Sequence, residues 1–401
     1  MSVRLAWFTP LPPMPSGISD YSAELLPLVA EAAEVEIVCP PRRDLRVPAG
    51  LRARTPETFD PGRVDAAIYH LGNNPQHVFA HDAALRHPGV CVLHDLTLHH
   101  LVAYRFVEHE RHPERYRAVL VEELGADLGR RVADLRLLGV ATELEKFLFP
   151  LIGHVARRSR GVVVHSRWGA ERVAEVAPDV PTTVIPHHAG SPPPGLGGVD
   201  RAEARRRLGL PQDAFLVGHF GFVNRPKQPS AVLGGMAVLR RSRPDARLLV
   251  VGADNTGGGL GRTARRFGIA DAVRATGFVD LRAFYLHLKA VDAVVNLRYP
   301  SAGESSGTLA RALAEGRAVV VNRLHAFAEI PDEAAMKVEV DGDPAEQVGR
   351  HLVRLAEDPA ERERVEAAAR AYAARELDPI RCRDAYIRVA ADAASVAGAS
   401  K

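Results

Sequence analysis

Two doubly wound α/β domains are predicted, and three observations predict them. Short apolar, β-branched runs recur along the whole chain, helical patterns separate them, and one Pro/Gly-rich break divides them into two sets of equal size. Runs that are apolar on both faces and alternate with helices are strands of parallel sheets covered on both sides. That alternation builds the doubly wound sheet. In chain order the first set spans 4–8, 35–39, 66–71, 89–94, 161–165 and 182–186, and the second 215–221, 247–252, 272–277, 293–298, 317–322 and 336–340.

The first domain is expected over 1–188. The stretch His187-His-Ala-Gly-Ser-Pro-Pro-Pro-Gly-Leu-Gly-Gly has linker composition, so 189–210 reads as a linker, with a short helix at 202–208 leading into a second domain over 211–378. Residues 96–160 are helical in pattern without a strand. Their run from Phe147 to Ile152, near Arg130, Arg131, Arg157, Arg158 and Arg160, reads as core helices, with weak peripheral membrane contact as the second reading. The end of the chain, 379–401, is a helix by the spacing of Ile380, Ala385, Tyr386, Val389, Ala390 and Ala393, and it either caps the second domain or crosses back to join the first.

Composition sets the outer limits. The chain has 401 residues, 46% of them hydrophobic and 25% charged, enough for two cores. No run approaches the ~18–20 apolar residues of a membrane span, and the opening apolar run is too short for a signal peptide. A net charge of +3 argues against nucleic acid as the partner. Three scattered cysteines, Cys39, Cys91 and Cys382, make neither a disulfide framework nor a zinc site, so reducing cytoplasm is expected. Lysine is rare: Lys146, Lys227, Lys289, Lys337 and Lys401 stand against 47 arginines.

Ligands of parallel α/β sheets bind beyond the carboxyl ends of strands, so the segments after each strand carry the candidates. After the first strand, Ser16 or Ser19 caps a helix whose inner face is Ile18, Tyr21, Leu25 and Leu28, and Gly17 lets a group approach the helix start. This is not the GxGxxG fingerprint of dinucleotide enzymes. His94 and Asp95 stand at the end of the fourth strand, where an imidazole can exchange a proton with a substrate oxygen. Asn73 and Asn74, in the loop after the third strand, are candidate acceptor contacts, and Tyr21 is placed with them on the acceptor side.

In the second domain, Arg225 and Lys227 follow a strand end and two glycines, a pairing suited to a diphosphate. Arg298, at the end of a later strand, is a further cation. The segment Ser301-Ala-Gly-Glu-Ser-Ser-Gly-Thr opens a helix that Gly316 ends. Its free amides at Ser305, Ser306, Gly307 and Thr308 suit a phosphate, and Glu304 beside them suits sugar hydroxyls. Asp341-Gly-Asp343 looks like a metal-binding pair but sits in a turn, and the glycines at 257–259 read as a surface loop.

With these segments in hand the chain resembles bacterial glycosyltransferases of family 4, the retaining group with the GT-B fold, in which two Rossmann-like domains face each other across a cleft. The likeness rests on the Pro-Pro-x-x-x-Gly17-Ile-x-x-Tyr21 segment, Leu93-His94-Asp95, Val164-His-Ser166 and Val184-Ile-Pro-His187. It continues through Phe220–Lys227, Leu249–Gly252, Thr276–Val279 and Glu304–Gly316. The resemblance implies a nucleoside-diphosphate sugar as co-substrate, a glycan, lipid-linked or small-molecule acceptor, no tightly bound cofactor and no metal. It implies a role in polysaccharide biosynthesis, with the protein cytoplasmic or peripheral at the inner membrane face. It assigns Gly17 to the diphosphate and sugar, His94 to the transferred sugar, Lys227 to the diphosphate, Glu304 to the sugar hydroxyls and the Gly277–Val279 backbone, with Phe278 and Val279, to the base.

Three departures stand out. The family's second glutamate, which holds the ribose, is replaced by Arg311 or Ala312. The arginine expected five residues before Lys227 is Phe222, which leaves Arg225 or Arg298 to supply its charge. The last helix matches only in position and pattern. Two other readings are a nucleotide-sugar 2-epimerase and a catalytically impaired nucleotide-sugar-binding partner of another transferase.

Overall fold

The computed structural model describes residues 3–14, 16–140 and 142–399, with side chains to residue 395. The chain forms two compact units. One comprises Met1–His187, Ala302–Ser305 and Pro379–Lys401, and the other His188–Ser301 and Ser306–Asp378.

The first unit is built on a seven-stranded sheet: β1 (Arg4–Phe8), β2 (Glu34–Val38), β3 (Ala53–Arg54), β4 (Ala66–Leu71), β5 (Val90–Leu93), β6 (Gly161–Val164) and β7 (Thr182–Val184). The order is β3-β2-β1-β4-β5-β6-β7, and every pair is parallel. Phe8 lies opposite both Val38 and Tyr69, so the chain reverses its direction of growth between β1 and β4. The order of a parallel sheet leaves a crevice at such a reversal.

The second unit repeats the plan in six strands: β8 (Leu216–Phe220), β9 (Arg247–Val251), β10 (Val273–Gly277), β11 (Ala293–Val295), β12 (Ala318–Asn322) and β13 (Met336–Val338). Their order is β10-β9-β8-β11-β12-β13, with the reversal between β8 and β11. The Arg201–Leu208 helix, within the stretch read as a linker, buries Ala204 and Arg205 in this unit.

Strand alternation explains the cores. Along β1, Leu5 and Trp7 enter one core with Tyr21 and Leu25, whereas Ala6 and Phe8 enter the opposite one with Tyr69 and Leu93. Along β8, Leu216 and Phe220 meet Leu309 and Leu313 on one face, and Val217 meets Val232 and Leu248 on the other. Each central strand is thus buried on both sides, which is why its sequence is apolar without alternation.

Four features differ from the sequence reading or extend it. β3 lies in a stretch where no strand is predicted, because two residues at a sheet edge leave no apolar run. The Pro379–Ala399 helix puts Cys382, Tyr386, Ala390 and Ala393 into the core of the first unit beside Trp7 and Tyr21. In the helical excursion, Leu151 and Ile152 are buried, but Leu138, Leu144 and Leu148 are 77%, 61% and 64% exposed. Asp343 of the Asp-Gly-Asp turn caps the Pro344–Glu357 helix by accepting from Ala345 N–H.

Candidate functional site

In the second unit, chemistry-bearing groups gather where β8 and β11 end. β8 runs into Gly221 at φ +82°, whose N–H donates to Val251 O at 2.8 Å. Gly252, at φ +144°, lies so close that a Cβ there would sit 2.2 Å from Gly221 O. No other residue type fits this pair of turns. The bend carries the chain into the Arg225–Lys227 turn, capped by Asn224 Oδ1 accepting from Lys227 N–H at 3.3 Å.

Lys227 is buried, and its ammonium donates to Phe220 O at 2.7 Å. A Cβ built on Gly221 would lie 2.5 Å from Lys227 Nζ and 3.7 Å from Thr308 Oγ1. The ammonium, the bare Gly221 α-carbon and the hydroxyl in the first turn of the Gly307–Ala314 helix therefore converge. Ser306 caps that helix, accepting from Leu309 N–H at 3.2 Å, and donates to Asn296 Oδ1 at 3.4 Å. Asn296 Nδ2 is buried with no hydrogen-bond partner among the described residues. Buried His219 donates from Nδ1 to Val295 O at 3.1 Å. Burial first, then the charges of Lys227 and Arg298, push it down to about 3, so it stays neutral. The result is a cationic niche at a helix start, a combination suited to phosphate.

The other candidates of this half are spread around it. Arg225 opens the turn and is exposed, whereas Arg298 is half-buried with its N–H on Asn322 Oδ1 at 2.6 Å. Phe278, after β10, is 73% exposed, and Val279 packs partly into the core. Ser305, Gly307 and Thr308 are half-buried. Glu304, grouped with the first unit, accepts from Ala302 N–H at 2.7 Å. At the expected position of the second glutamate, Ala312 is wholly buried and Arg311 lies 6.0 Å from the Phe284 ring. Glu315 is held by Lys289 at 2.6 Å.

In the first unit, Ser16 is the cap of the Gly17–Ala32 helix, accepting from Ile18 N–H at 3.3 Å. Gly17 is exposed, and a Cβ there would meet nothing within 4 Å. His94, just past β5, is nearly buried, with both ring nitrogens engaged: Nε2 lies 2.8 Å from His70 Nδ1, and Nδ1 lies 3.0 Å from His165 Nε2. Burial, then His165, His70, His187 and His77, hold it well below the usual histidine range.

The three acceptor-side residues take structural positions here. Tyr21 is wholly buried, its hydroxyl 2.9 Å from that of Tyr386, and its ring packs edge-on against His94 at 4.9 Å. It walls the imidazole from behind and does not reach solvent. Asn73 ties a corner: its N–H donates to Asp95 Oδ2 at 2.7 Å and its Oδ1 accepts from His100 N–H at 2.8 Å. Asn74 Oδ1 caps the next turn, accepting from Gln76 N–H at 3.0 Å. Short polar side chains after strands often serve such caps. Sequence reasoning passed over Asn296, a buried polar residue just past β11, and His165, which sits in the quoted Val164-His-Ser166 segment.

No group of three or more His, Cys, Asp or Glu residues among those described is arranged to hold a metal ion, and no described helix is long and apolar enough to cross a membrane.

Residues 214–358 match the family model described as Glycosyl transferases group 1. The chain is 32% identical over 232 residues to the D-inositol 3-phosphate glycosyltransferase of Thermomonospora curvata, covering 55% of this chain and 51% of that protein. It thus spans about half the length of the curated relatives it matches. In fold it is similar to the sucrose-phosphate synthase of Thermosynechococcus elongatus, with a TM-score of 0.65 at 16% identity, covering 98% of each chain. It is also similar to Anabaena HepE, solved in complex with UDP and glucose, with a TM-score of 0.64 at 14% identity, covering 96% of this chain and 98% of that one. Residues 214–358 thus match a glycosyl transferases group 1 model, and the chain has the two-unit α/β fold seen in the GT-B glycosyltransferases that its sequence resembles.

Proposed function

We propose that the protein is a retaining glycosyltransferase that moves a hexosyl-type sugar from a nucleoside-diphosphate sugar to a glycan, lipid-linked or small-molecule acceptor. The observation that carries this reading is the convergence of Lys227, Gly221 and Thr308 at the start of the Gly307–Ala314 helix. The chemical barrier is departure of a nucleoside diphosphate while positive charge builds on the anomeric carbon. A fixed ammonium and helix amides stabilise that leaving group electrostatically, the contribution that is usually largest.

Glu304 takes the sugar hydroxyls in this proposal, and Ser305–Thr308 the phosphates, with Arg225 or Arg298 as the second cation. The base meets the backbone at Gly277–Val279. His94 and Gly17 serve the transferred sugar and the diphosphate. The relatives named for glycosyl transfer, and the neighbour solved with UDP and glucose, support the class of donor. The exposed leucines at 138, 144 and 148 support a lipid-linked acceptor or peripheral membrane contact.

Turnover with a panel of nucleoside-diphosphate sugars and mixed acceptors, with the product anomer read by NMR, tests the reading. Transfer with retained configuration is expected, and Glu304→Ala should lower its rate by about 10²–10³-fold. Inverted products, or a rate unmoved by Glu304→Ala, would contradict it. Conversion of the donor sugar without any acceptor would favour the epimerase, and donor binding without turnover the impaired partner.

A further inference from the structure

Three adjacent strands of the first sheet end in histidines whose rings form one chain. His70 lies on β4, His94 just past β5 and His165 just past β6. From the far end, His165 Nδ1 is 2.7 Å from Ile185 O, His165 Nε2 is 3.0 Å from His94 Nδ1, and His94 Nε2 is 2.8 Å from His70 Nδ1.

A carbonyl can only accept, so His165 must carry its proton on Nδ1. A neutral imidazole has one N–H. His165 Nε2 is therefore an acceptor and His94 Nδ1 must donate to it. That leaves His94 Nε2 as the acceptor of the Nδ1 proton of His70. One backbone oxygen thus dictates the tautomer of three rings, each protonated on Nδ1.

The surroundings keep the rings in place and uncharged. Tyr21, from the Gly17–Ala32 helix, lies edge-on to His94, and its ring is 5.7 Å from His165 and 4.8 Å from His187. Trp7 of β1 stacks at 4.6 Å on His70, and Tyr386 of the Pro379–Ala399 helix lies behind it at 5.9 Å, with Cys382 beside the Tyr21 hydroxyl. His77, after β4, donates from Nδ1 to His70 O at 2.9 Å. The rings of His70, His165 and Tyr21 thus lie directly against His94. Burial holds His165 at about 4, as it does His77.

We propose that His165 is the positioning residue of this end of the sheet: it reads the Ile185 carbonyl and locks His94 as a neutral ring protonated on Nδ1, with His70 closing the other nitrogen. Its functional meaning rests on the glycosyltransferase reading. Where positive charge builds on an anomeric carbon, a ring held neutral does not oppose it, whereas an imidazolium would.

The test is imidazole nitrogen NMR on the histidine-labelled full-length protein at pH 7, with the three rings assigned by single substitutions. All three should show protonated Nδ1 and bare Nε2. In His165→Leu, which removes the acceptor, the His94 resonances should leave that pattern. In His165→Gln, whose amide oxygen can take the His94 proton, they should keep it. Turnover should follow, with kcat reduced about tenfold or more in His165→Leu and largely restored in His165→Gln, KM moving little in either. A charged or Nε2-protonated His94 in the unsubstituted protein, or an unchanged His94 pattern in His165→Leu, would overturn the lock. Transfer that survives His94→Ala intact would instead overturn the role given to His94, whatever the spectra show.

Discussion

Two glycines separate fold from function at the scale of single residues. Nothing lies within 4 Å of a Cβ at Gly17, so Gly17→Ala should leave the melting temperature unchanged. If Gly17 faces the donor as proposed, the added methyl group should nonetheless lower transfer by about 10²-fold. Unchanged kinetics would remove Gly17 from the donor site. Gly221 is the opposite case. At φ +82° and 2.5 Å from Lys227 Nζ, an added Cβ strains the backbone and displaces the ammonium. Gly221→Ala should destabilise the protein by about 1–2 kcal/mol in urea titration and weaken nucleotide binding as well. The place of Lys227 past a strand end was legible from the apolar run of β8 that precedes it. The burial of Tyr21 and the capping roles of Asn73 and Asn74 were not legible, because hydrogen-bond partners such as Tyr386 and His100 lie far away in sequence.

At the scale of elements, twelve of the strands were readable from apolar runs, whereas β3, with two edge residues, carries no such pattern. The Pro379–Ala399 helix announces its helicity by spacing but not its destination. That depends on Tyr386, which is buried beside Trp7 and bonded to Tyr21. Tyr386→Ala should cost about 3–5 kcal/mol, as large-to-small changes in cores do. Tyr386→Phe, which loses only the hydroxyl bond, should cost about 1 kcal/mol. Equal effects in urea titration would mean that the ring does not fill that core. In the helical excursion, exposure of Leu138, Leu144 and Leu148 is a fact of packing that periodicity could not supply. Charged substitutions at all three should reduce co-sedimentation with anionic lipid vesicles without lowering stability, and undiminished sedimentation would exclude this face from membrane contact.

Across the whole molecule, the buried histidines couple stability to pH. His77, His81 and His165 are pushed down to about 4 and His219 to about 3, each chiefly by burial. Below the ordinary histidine value near 6.5 the unfolded chain binds protons that the folded one refuses, so unfolding free energy falls as pH falls. Each such histidine contributes a loss of about 1.4 kcal/mol per pH unit between pH 6.5 and its folded value. The melting temperature should therefore drop steeply from pH 6.5 to 4, and a flat profile would mean that these rings are solvated. The two-sheet plan was readable apart from the edge strand β3, because central parallel strands must be apolar on both faces. The niche around Lys227 was readable only in part, since its shape comes from the approach of Gly252 to Gly221, which no local pattern encodes.

The central claim is that a nucleoside diphosphate binds at the ends of β8 and β11, against Lys227 and the start of the Gly307–Ala314 helix. Calorimetric titration of the full-length protein with nucleoside diphosphates, with and without a chelator, tests it most directly. One base should bind at a single site, unaffected by the chelator, and Lys227→Met should weaken it by about 10–10²-fold through loss of charge-assisted hydrogen bonds. An affinity identical in the two proteins, for a nucleotide that does bind, would contradict the account.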